Sequence, residues 1–263
     1  MATPSAFIQY SGSFTIVLFV AMLLCLELGR RIGRHRAGRD PEGWQAGTGV
    51  IEGAVFGLLG LMLGFTFSAA IGRVDMRRQQ IVAEANAIGT AYLRLDLLPE
   101  SEQPAMRDAF RRYTDARLSA YANVRKDFSL TLAELDRATE MQGEIWQSLV
   151  KLTKGADGSA ASRLLLPAVN EMIDITAVRT MAARTHNPLL FYGLIAFLLI
   201  ISSLLAGYAM SRSEERNWLH IIGFAVITVA VVYVIIDVDY PRIGLFRMDV
   251  ADQVLYEVRA SMK

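Results

Sequence analysis

Hydrophobic residues in this 263-residue chain gather into four long runs, and elsewhere they recur at helical spacing. The runs cover roughly residues 13–29, 50–72, 188–210 and 219–236. Each run is close to the roughly 20 residues that a helix needs to cross about 30 Å of hydrocarbon. More than a hundred residues of ordinary soluble composition separate the second run from the third. The pattern predicts a membrane protein with four transmembrane helices and a water-exposed domain inserted between helices 2 and 3.

The region after the second run keeps a helical pattern. Its apolar positions are four, three, four and three residues apart, which places them on one helix face. These positions are Ile81, Ala85, Ile88, Tyr92 and Leu95. The spacing predicts one long helix that leaves the membrane and continues to about Leu98, where Pro99 stops it.

Three more helices are expected before the third run. The first opens with Pro104 in its first turn, the second covers about residues 131–153, and the third begins near Ala160, with Pro167 predicted to kink it or to mark a late start. No run alternates as a strand does, so the predicted fold is all-α. The predicted segments are a transmembrane hairpin (1–72), a helical soluble domain (73–187), a second hairpin (188–237) and an amphipathic tail (238–263). Loops are predicted at 30–41, 155–159 and 211–217.

Composition supports the membrane assignment and excludes several other classes. Hydrophobic residues make up 53% of the chain and charged residues 20%, with a mean hydropathy of +0.32, whereas soluble domains average about 45–50% and about 25%. The net charge of +1 gives no reason to expect nucleic acid as a partner. The single cysteine, Cys25, can form no intramolecular disulfide. The first run is interpreted as a retained helix rather than a leader, because arginines follow it where a cleavage site would lie.

The arginine distribution predicts an orientation. Four spans put both termini and the inserted domain on one side of the membrane and the two short loops on the other. The loop side carries Arg30, Arg31, Arg34, Arg36, Arg39, Arg212 and Arg216. The tail near the membrane has only Arg242 and Arg247. By the positive-inside rule this count places the inserted domain outside the cytoplasm.

The chain shows no pattern typical of an enzyme or a metal site. His35, His186 and His220 are far apart, and neither CxxC nor HExxH occurs. There is also no phosphate loop and no GxSxG elbow. No catalytic residue, metal or cofactor is therefore predicted. Acidic residues are expected on solvated helix faces, and Asp237 and Asp239 are interpreted as the polar stop of the fourth span rather than as cation ligands.

Small residues form one face of the second span. They recur at four, three, four and four residues, and glycine is costly inside a helix, so such a face indicates close contact. The positions are Gly53, Gly57, Gly60, Gly64 and Ser68. Two interpretations remain open: tight helix–helix packing of the small-xxx-small kind, or a helix that lines a pore.

Basic residues follow where this span leaves the membrane: Arg73, Arg77 and Arg78. The simpler interpretation is contact with lipid headgroups by snorkelling side chains. The alternative is an electrostatic vestibule, in which arginines from several subunits concentrate anions.

Short motifs of the second span and of the region after the fourth resemble bestrophins. Leu63-Gly64-Phe65, with Arg73 eight positions after the phenylalanine, is similar to the second transmembrane helix of bestrophins and their bacterial relatives. The stretch from Glu84 to Leu95 resembles the bacterial family described as having a bestrophin-like domain. Asp239-Tyr240-Pro241-Arg242-Ile243-Gly244 is similar to the acidic-x-Pro-Phe-Gly segment of bestrophins, with one extra residue.

The resemblance implies a homopentameric, chloride-type anion channel in a bacterial inner membrane. The second helix of each subunit would line the pore, and Phe65, Leu61 and Gly57, one turn apart, would form its neck. Such a neck gates by dewetting. The resemblance also implies a cytosolic domain, in conflict with the arginine count, and the prediction here follows the resemblance because its motif lies where the helix enters the domain.

The chain departs from the bestrophin pattern at three places. Gly57 is too small for a third apolar ring. Val74 and Asp75 replace the paired tryptophans that usually follow the arginine, and the acidic calcium-binding cluster is absent, since Leu245-Phe246-Arg247-Met248 follows Gly244. Calcium gating is not expected. The alternative hypothesis is a non-conducting membrane sensor or scaffold whose helical domain binds a ligand or partner.

Overall fold

The computed structural model describes residues 4–39, 48–124, 127–154, 159–212, 216–242 and 244–263. Every regular element in these ranges is helical, which confirms the predicted all-α class. The helices are α1 (Pro4–Ala37), α2 (Thr48–Leu93), α3 (Gln103–Asn123), α4 (Phe128–Leu152), α5 (Ser159–Arg184), α6 (Leu189–Ala209), α7 (Trp218–Asp239) and α8 (Asp249–Ser261). Short 3-10 turns occur at Arg94–Leu97 and Met210–Arg212.

The chain folds into two compact units. One, here called the helical unit, contains Arg73–Thr185 and Pro241–Lys263. The other, here called the apolar unit, contains Ser5–Gly72 and His186–Tyr240. The backbone of α2 belongs to both, since this helix is continuous from Thr48 to Leu93.

The helical unit has a hydrophobic core built from five helices. The stripe predicted on α2 is buried, and it meets apolar side chains of α3, α4, α5 and α8. Fully buried members are Ile88, Leu95, Phe110, Leu149, Met172 and Leu255. The last of these lies in the predicted amphipathic tail, so α8 packs into this core with its apolar face.

The apolar unit is a bundle of the helices with the most hydrophobic sequences. Its core includes Met22 of α1, Leu59 of α2, Leu199 of α6 and Val232 of α7. Four helical stretches have the length and composition to cross a membrane. These stretches are Ser11–Ala37, Thr48–Leu97, Ser162–Ala209 and Trp218–Asp239. The four apolar spans predicted from the sequence are thereby confirmed, and the chain is a membrane protein.

Two prolines mark helix boundaries as predicted, one after the end of α2 and one at the start of α3. The α2 helix ends at Leu93 and tightens into a 3-10 turn through Leu97, just before Pro99. Pro104 lies in the first turn of α3, where its missing N–H leaves no bond unmade. The α5 helix begins at Ser159, which confirms the start predicted near Ala160; Pro167 lies inside it, so of the two alternatives for this proline the late start is excluded.

The predicted loop over residues 30–41 is wrong for most of its length. The α1 helix continues to Ala37, because arginine is a good helix former and the basic residues of its last turn suit the negative end of the helix dipole. Asp40 and Pro41 of this predicted loop lie outside the described residues, as do 155–158 and 213–215 of the other two predicted loops.

The expectation that acidic residues lie on solvated helix faces is wrong for several positions. Glu84 and Asp239 are fully buried, and Asp252 is 8% exposed. An ionised carboxylate is buried only where hydrogen bonds or opposite charges compensate for lost water, and these three positions have such compensation, described below.

Candidate functional site

The described part of one chain leaves the glycine face of α2 uncovered. Apart from the neighbouring backbone of α2 itself, a Cβ atom built on Gly53, Gly57, Gly60 or Gly64 would meet no atom within 4 Å. The opposite face of this helix holds it in the apolar unit, where Leu59 and Thr66 are each 4% exposed and the rings of Phe56 and Phe224 meet edge to face at 6.1 Å. Ser68, the last member of the predicted face, is also exposed. The small residues therefore serve no helix contact inside the described part of the chain.

Glycines on two other helices show what close packing looks like in the same unit. A Cβ at Gly29 of α1 would overlap the carbonyl oxygen of Leu204 on α6, and a Cβ at Gly207 of α6 would overlap that of Leu26 on α1. These two glycines allow α1 and α6 to cross with their backbones in contact. Small-residue packing is therefore used between α1 and α6.

The bulky candidates of the pore neck lie beside the uncovered glycines. Phe65 is 63% exposed and Leu61 is 52% exposed. They are one helical turn apart, so their side chains are separated by about 6 Å along the axis. Gly57 lies one further turn away. Along this line one copy of α2 thus presents two large apolar side chains followed by a position without a side chain.

The three arginines after the span have different surroundings. Arg78 is half-exposed and lies 3.5 Å from the carboxylate of Asp75. Arg77 is only 8% exposed, and its guanidinium donates hydrogen bonds to the carbonyl oxygens of Ala182, at 3.1 Å, and Thr185, at 2.8 Å. Arg77 thus caps the C-terminal end of α5, where carbonyl groups carry partial negative charge. Arg73 is partly buried one turn earlier.

A buried charge network, not anticipated from the sequence, lies in the helical unit. The carboxylate of Glu84, which is fully buried, accepts a hydrogen bond from Arg117 Nε at 2.7 Å and a second from Arg179. The side chains of Arg117 and Arg179 are 5% and 9% exposed. Tyr121 completes the group, with its hydroxyl 3.4 Å from the second carboxylate oxygen of Glu84. Two guanidinium groups thus share one carboxylate in a region of little water.

The Tyr121 ring faces three guanidinium groups. Their central carbons lie 5.1 Å (Arg117), 4.2 Å (Arg179) and 5.0 Å (Arg242) from the ring centre, within the range of cation–π attraction. Arg242 also forms a two-pronged ion pair with Asp252, both bonds being 2.6 Å long. Burial raises the pKa of the Tyr121 hydroxyl to about 12, and the positive charges of Arg117 and Arg242 oppose that rise.

Arg242 adopts a backbone conformation that favours glycine, with φ of 86°. A side chain costs energy in this region, so such a residue persists where its surroundings hold it in place. The ion pair with Asp252 and the stacking on Tyr121 provide that hold. Arg242 belongs to the segment after the fourth span that carried the resemblance, and Ile243 of that segment lies outside the described residues.

A sequence pattern for the buried network does exist. Glu84 lies three residues after Ile81 and four before Ile88, on the buried stripe of α2. Arg117 is four residues from both Tyr113 and Tyr121 on α3, and Arg179 is four residues after Ile175 on α5. Each is a charged residue at an apolar stripe position of its helix, which predicts burial with a partner.

The second buried carboxylate, Asp239, lies in the apolar unit. Its Oδ2 atom accepts hydrogen bonds from the backbone N–H of Asn187 and from the hydroxyl of Tyr192, both at 2.9 Å. The ring of His186 contacts the Asp239 carbonyl oxygen at 3.1 Å and stacks on Tyr240 at 3.9 Å. Asp239 thus serves as a cap for the start of α6. Within the described ranges no three His, Cys, Asp or Glu side chains are grouped as a metal site would require.

Comparison with known proteins identifies a family but no individual relative. The sequence model of a family described as "Bestrophin-like domain" matches residues 16–251, most of the chain. This match confirms the family predicted from the sequence motifs. No curated protein and no solved structure matches the chain.

Proposed function

Because the chain belongs to the bestrophin-like domain family, we propose that it is an oligomeric anion channel, not an enzyme, with a pore lined by α2. The observation that carries this proposal is the uncovered face of α2. A helix with four glycines open to their surroundings offers lipid little to pack against, whereas it suits close approach of another helix. The proposed occupant of this face is α2 of a neighbouring copy.

A ring of α2 helices would place Phe65 and Leu61 around one axis. Two stacked apolar rings exclude water and so form a constriction that gates by dewetting. Gly57 would leave the third level wide, which makes the neck two side chains long rather than three. We propose a homopentamer with chloride or a similar small inorganic anion as the permeant species, and this part of the proposal comes from the family.

Positive charge at the exit of the pore would attract the anion. Arg73 follows Phe65 by eight residues, or about 12 Å along the helix. Arg78 adds a partly neutralised charge beside Asp75 at 3.5 Å. Arg77 is already engaged by the carbonyl groups at the end of α5, so in this proposal it contributes its field and not a direct contact with the ion. A charged vestibule of this kind raises the local anion concentration by electrostatic focusing.

Chloride flux from proteoliposomes tests the proposal. Phe65→Ala should raise the flux severalfold by widening the neck, while Phe197→Ala should leave it unchanged, because Phe197 is similarly exposed, at 59%, but belongs to α6. Arg73→Glu should lower chloride flux about tenfold, and Arg137→Glu, the same charge change on an exposed position of α4, should not. Equal flux in all four variants and in empty liposomes would refute the channel proposal and favour the sensor or scaffold hypothesis.

The mass of the complex provides a second test. Light scattering of the detergent-solubilised protein, corrected for bound detergent, should give five copies of a 29.1 kDa chain. A monomer that persists in mild detergent and in nanodiscs would leave α2 without a shared axis and would refute the pore.

We propose an inner-membrane location with the helical unit in the cytosol, following the family and against the loop arginines. Single cysteines introduced into α3 and α4 on a Cys25→Ser background should resist an impermeant thiol reagent in intact cells. Labelling of those cysteines in intact cells would place the helical unit outside.

A further inference from the structure

A cavity of about 310 Å³ lies in the apolar unit, near the end of α1, the end of α6 and the start of α7. Its volume is within the range of ligand-binding cavities, about 300–1,000 Å³. Part of its wall is hydrocarbon, contributed by Leu23 and Leu26 of α1 and by Ile221 of α7. The cavity therefore has an apolar wall and lies where three apolar helices begin or end in polar residues.

The charged side chains among the described residues that line the cavity are three arginines and one glutamate: Arg30, Arg31, Arg216 and Glu27. Arg30 is 4% exposed, so one of the guanidinium groups lies deep in the wall. The same oxygen of Glu27 receives hydrogen bonds from Arg31 at 3.0 Å and from Arg216 at 3.1 Å. One carboxylate cannot neutralise three guanidinium groups, so the lining keeps an excess of positive charge.

The close crossing of α1 and α6 explains why an arginine is buried here. Gly29 and Gly207 let the two backbones touch, and Gly207 itself forms part of the cavity wall. Arg30 follows Gly29 directly in the chain, so its backbone lies beside the crossing, and the residue is 4% exposed. The positive charge is thus built into the helix packing rather than carried only by mobile surface side chains.

The cavity lies at the level expected for lipid headgroups. Trp218 begins α7 and lines the cavity, and its ring lies 5.6 Å from the guanidinium carbon of Arg216. Tryptophans at helix ends concentrate at the level of the headgroups. Arginine presents paired N–H groups that match the oxygens of a phosphate. Basic pockets between membrane helices bind anionic headgroups for these reasons.

We propose that this cavity binds the phosphate group of an anionic phospholipid, with the apolar wall of Leu23, Leu26 and Ile221 along the start of an acyl chain. The chemistry recognised is a phosphodiester with no cation of its own, as in phosphatidylglycerol. Free inorganic phosphate shares the charged group but lacks the chain that the apolar wall would contact. The proposal does not depend on whether the protein conducts ions.

Native mass spectrometry of the full-length protein tests the proposal. The protein is reconstituted in nanodiscs of equal phosphatidylglycerol and phosphatidylcholine, released into detergent, and the retained lipids are counted. We expect about tenfold more phosphatidylglycerol than phosphatidylcholine on the wild type. The ratio of retained phosphatidylglycerol to retained phosphatidylcholine should fall about fivefold in Arg31→Gln. This fold-change corresponds to about 1 kcal/mol for one arginine near an anionic surface. Equal retention of the two lipids by the wild type would overturn the proposal.

Matched variants separate the cavity from general surface charge. Arg36→Gln removes the same charge from an exposed position near the end of α1 that does not line the cavity, and it should retain lipid as the wild type does. Glu27→Gln removes the one negative charge of the lining and should increase retention of phosphatidylglycerol. Equal losses in Arg31→Gln and Arg36→Gln would assign the effect to diffuse attraction and refute a cavity site.

Inorganic phosphate distinguishes the two sources of the same group. The melting temperature of the delipidated protein should rise with phosphatidylglycerol and stay constant with millimolar inorganic phosphate at matched ionic strength. An equal rise with both would identify a phosphate site without lipid recognition and would overturn the lipid assignment. Arg31 is chosen for neutralisation because its side chain is 75% exposed, so its replacement leaves the helix crossing intact; circular dichroism of the variant checks this.

Discussion

Replacing Glu84 by glutamine removes one negative charge from the buried network and leaves the shape of the side chain almost unchanged. In the wild type this carboxylate faces the guanidinium groups of Arg117 and Arg179. In the variant these two cations remain beside each other, 5% and 9% exposed, without the carboxylate that both contact. The perturbation therefore isolates the electrostatic part of the network.

The expected cost is large because the charges that remain are buried. Removing one partner of a buried ion pair costs about 3–5 kcal/mol, whereas an exposed pair contributes only about 0–1 kcal/mol. The chain offers an exposed pair for comparison: Arg112 and Asp108, 3.0 Å apart, with side chains 58% and 56% exposed. For a unit of this size 1 kcal/mol corresponds to about 3 °C in Tm. Glu84→Gln should lower Tm by about 10–15 °C and Asp108→Asn by at most about 3 °C.

The assay needs a reporter in the helical unit alone. Trp146 packs against the core of that unit, and the chain has three tryptophans. On a Trp44→Phe/Trp218→Phe background, the fluorescence of Trp146 follows the melting of this core in the full-length protein. Each variant is then compared with this background protein in the same detergent.

A double variant sharpens the test. Adding Arg179→Gln to Glu84→Gln removes one of the two cations that lost their shared carboxylate, so the combined cost should be smaller than the sum of the single costs, since the residues belong to one network. If Glu84→Gln melts within 3 °C of Asp108→Asn, or if the two single costs add, the reasoning from buried charge is refuted.

Three further predictions concern other features of the fold. Gly207→Ala should lower the Tm of the apolar unit by several degrees, about 1–3 kcal/mol, because its methyl group has no space, while Gly193→Ala on the same helix, whose methyl group meets no neighbouring atom, should not lower it; equal losses would contradict the packing described. Leu255→Ala should cost the helical unit about 2–5 kcal/mol in denaturant unfolding, because this side chain is fully buried, and a cost below 1 kcal/mol would show that α8 is dispensable. Tyr121 has a folded-state pKa of about 12 against about 10 when unfolded, so it stabilises the fold fully below pH 10 and loses that contribution as pH rises through 12. Between pH 9 and pH 11 the free energy of unfolding of Tyr121→Phe should therefore fall by about 1 kcal/mol less than that of the wild type. Parallel curves of unfolding free energy against pH for the two proteins would contradict this.

The sequence predicts the helices of this protein well because their signals are local. Periodic apolar residues, Pro99 and Pro104 define elements without reference to distant parts of the chain. The exception is the end of α1, where arginines interspersed with glycines and followed by Pro41 predict a loop, although arginine has a high helix propensity and the helix reaches Ala37.

The buried network could be predicted only in part. Stripe positions of Glu84, Arg117 and Arg179 predict that each is buried, but their pairing joins residues 33 and 95 positions apart in the chain. Such pairing depends on how three helices, α2, α3 and α5, pack together, which periodicity does not encode. The same limit applies to α2: the glycine pattern predicts a contact face, and the fold is needed to show that this face is uncovered within the described part of the chain.

The cap that Asp239 provides has a mechanical consequence for the second hairpin. This carboxylate, at the end of α7, holds the backbone N–H of Asn187 and the hydroxyl of Tyr192 at the start of α6. The two helices, of 21 and 22 residues, are thus pinned at one end and nearly equal in length. A pinned pair cannot relieve hydrophobic mismatch by sliding one helix past the other. In a bilayer thinner than their common length, α6 and α7 must tilt together, so membrane thickness acts on them as on one body.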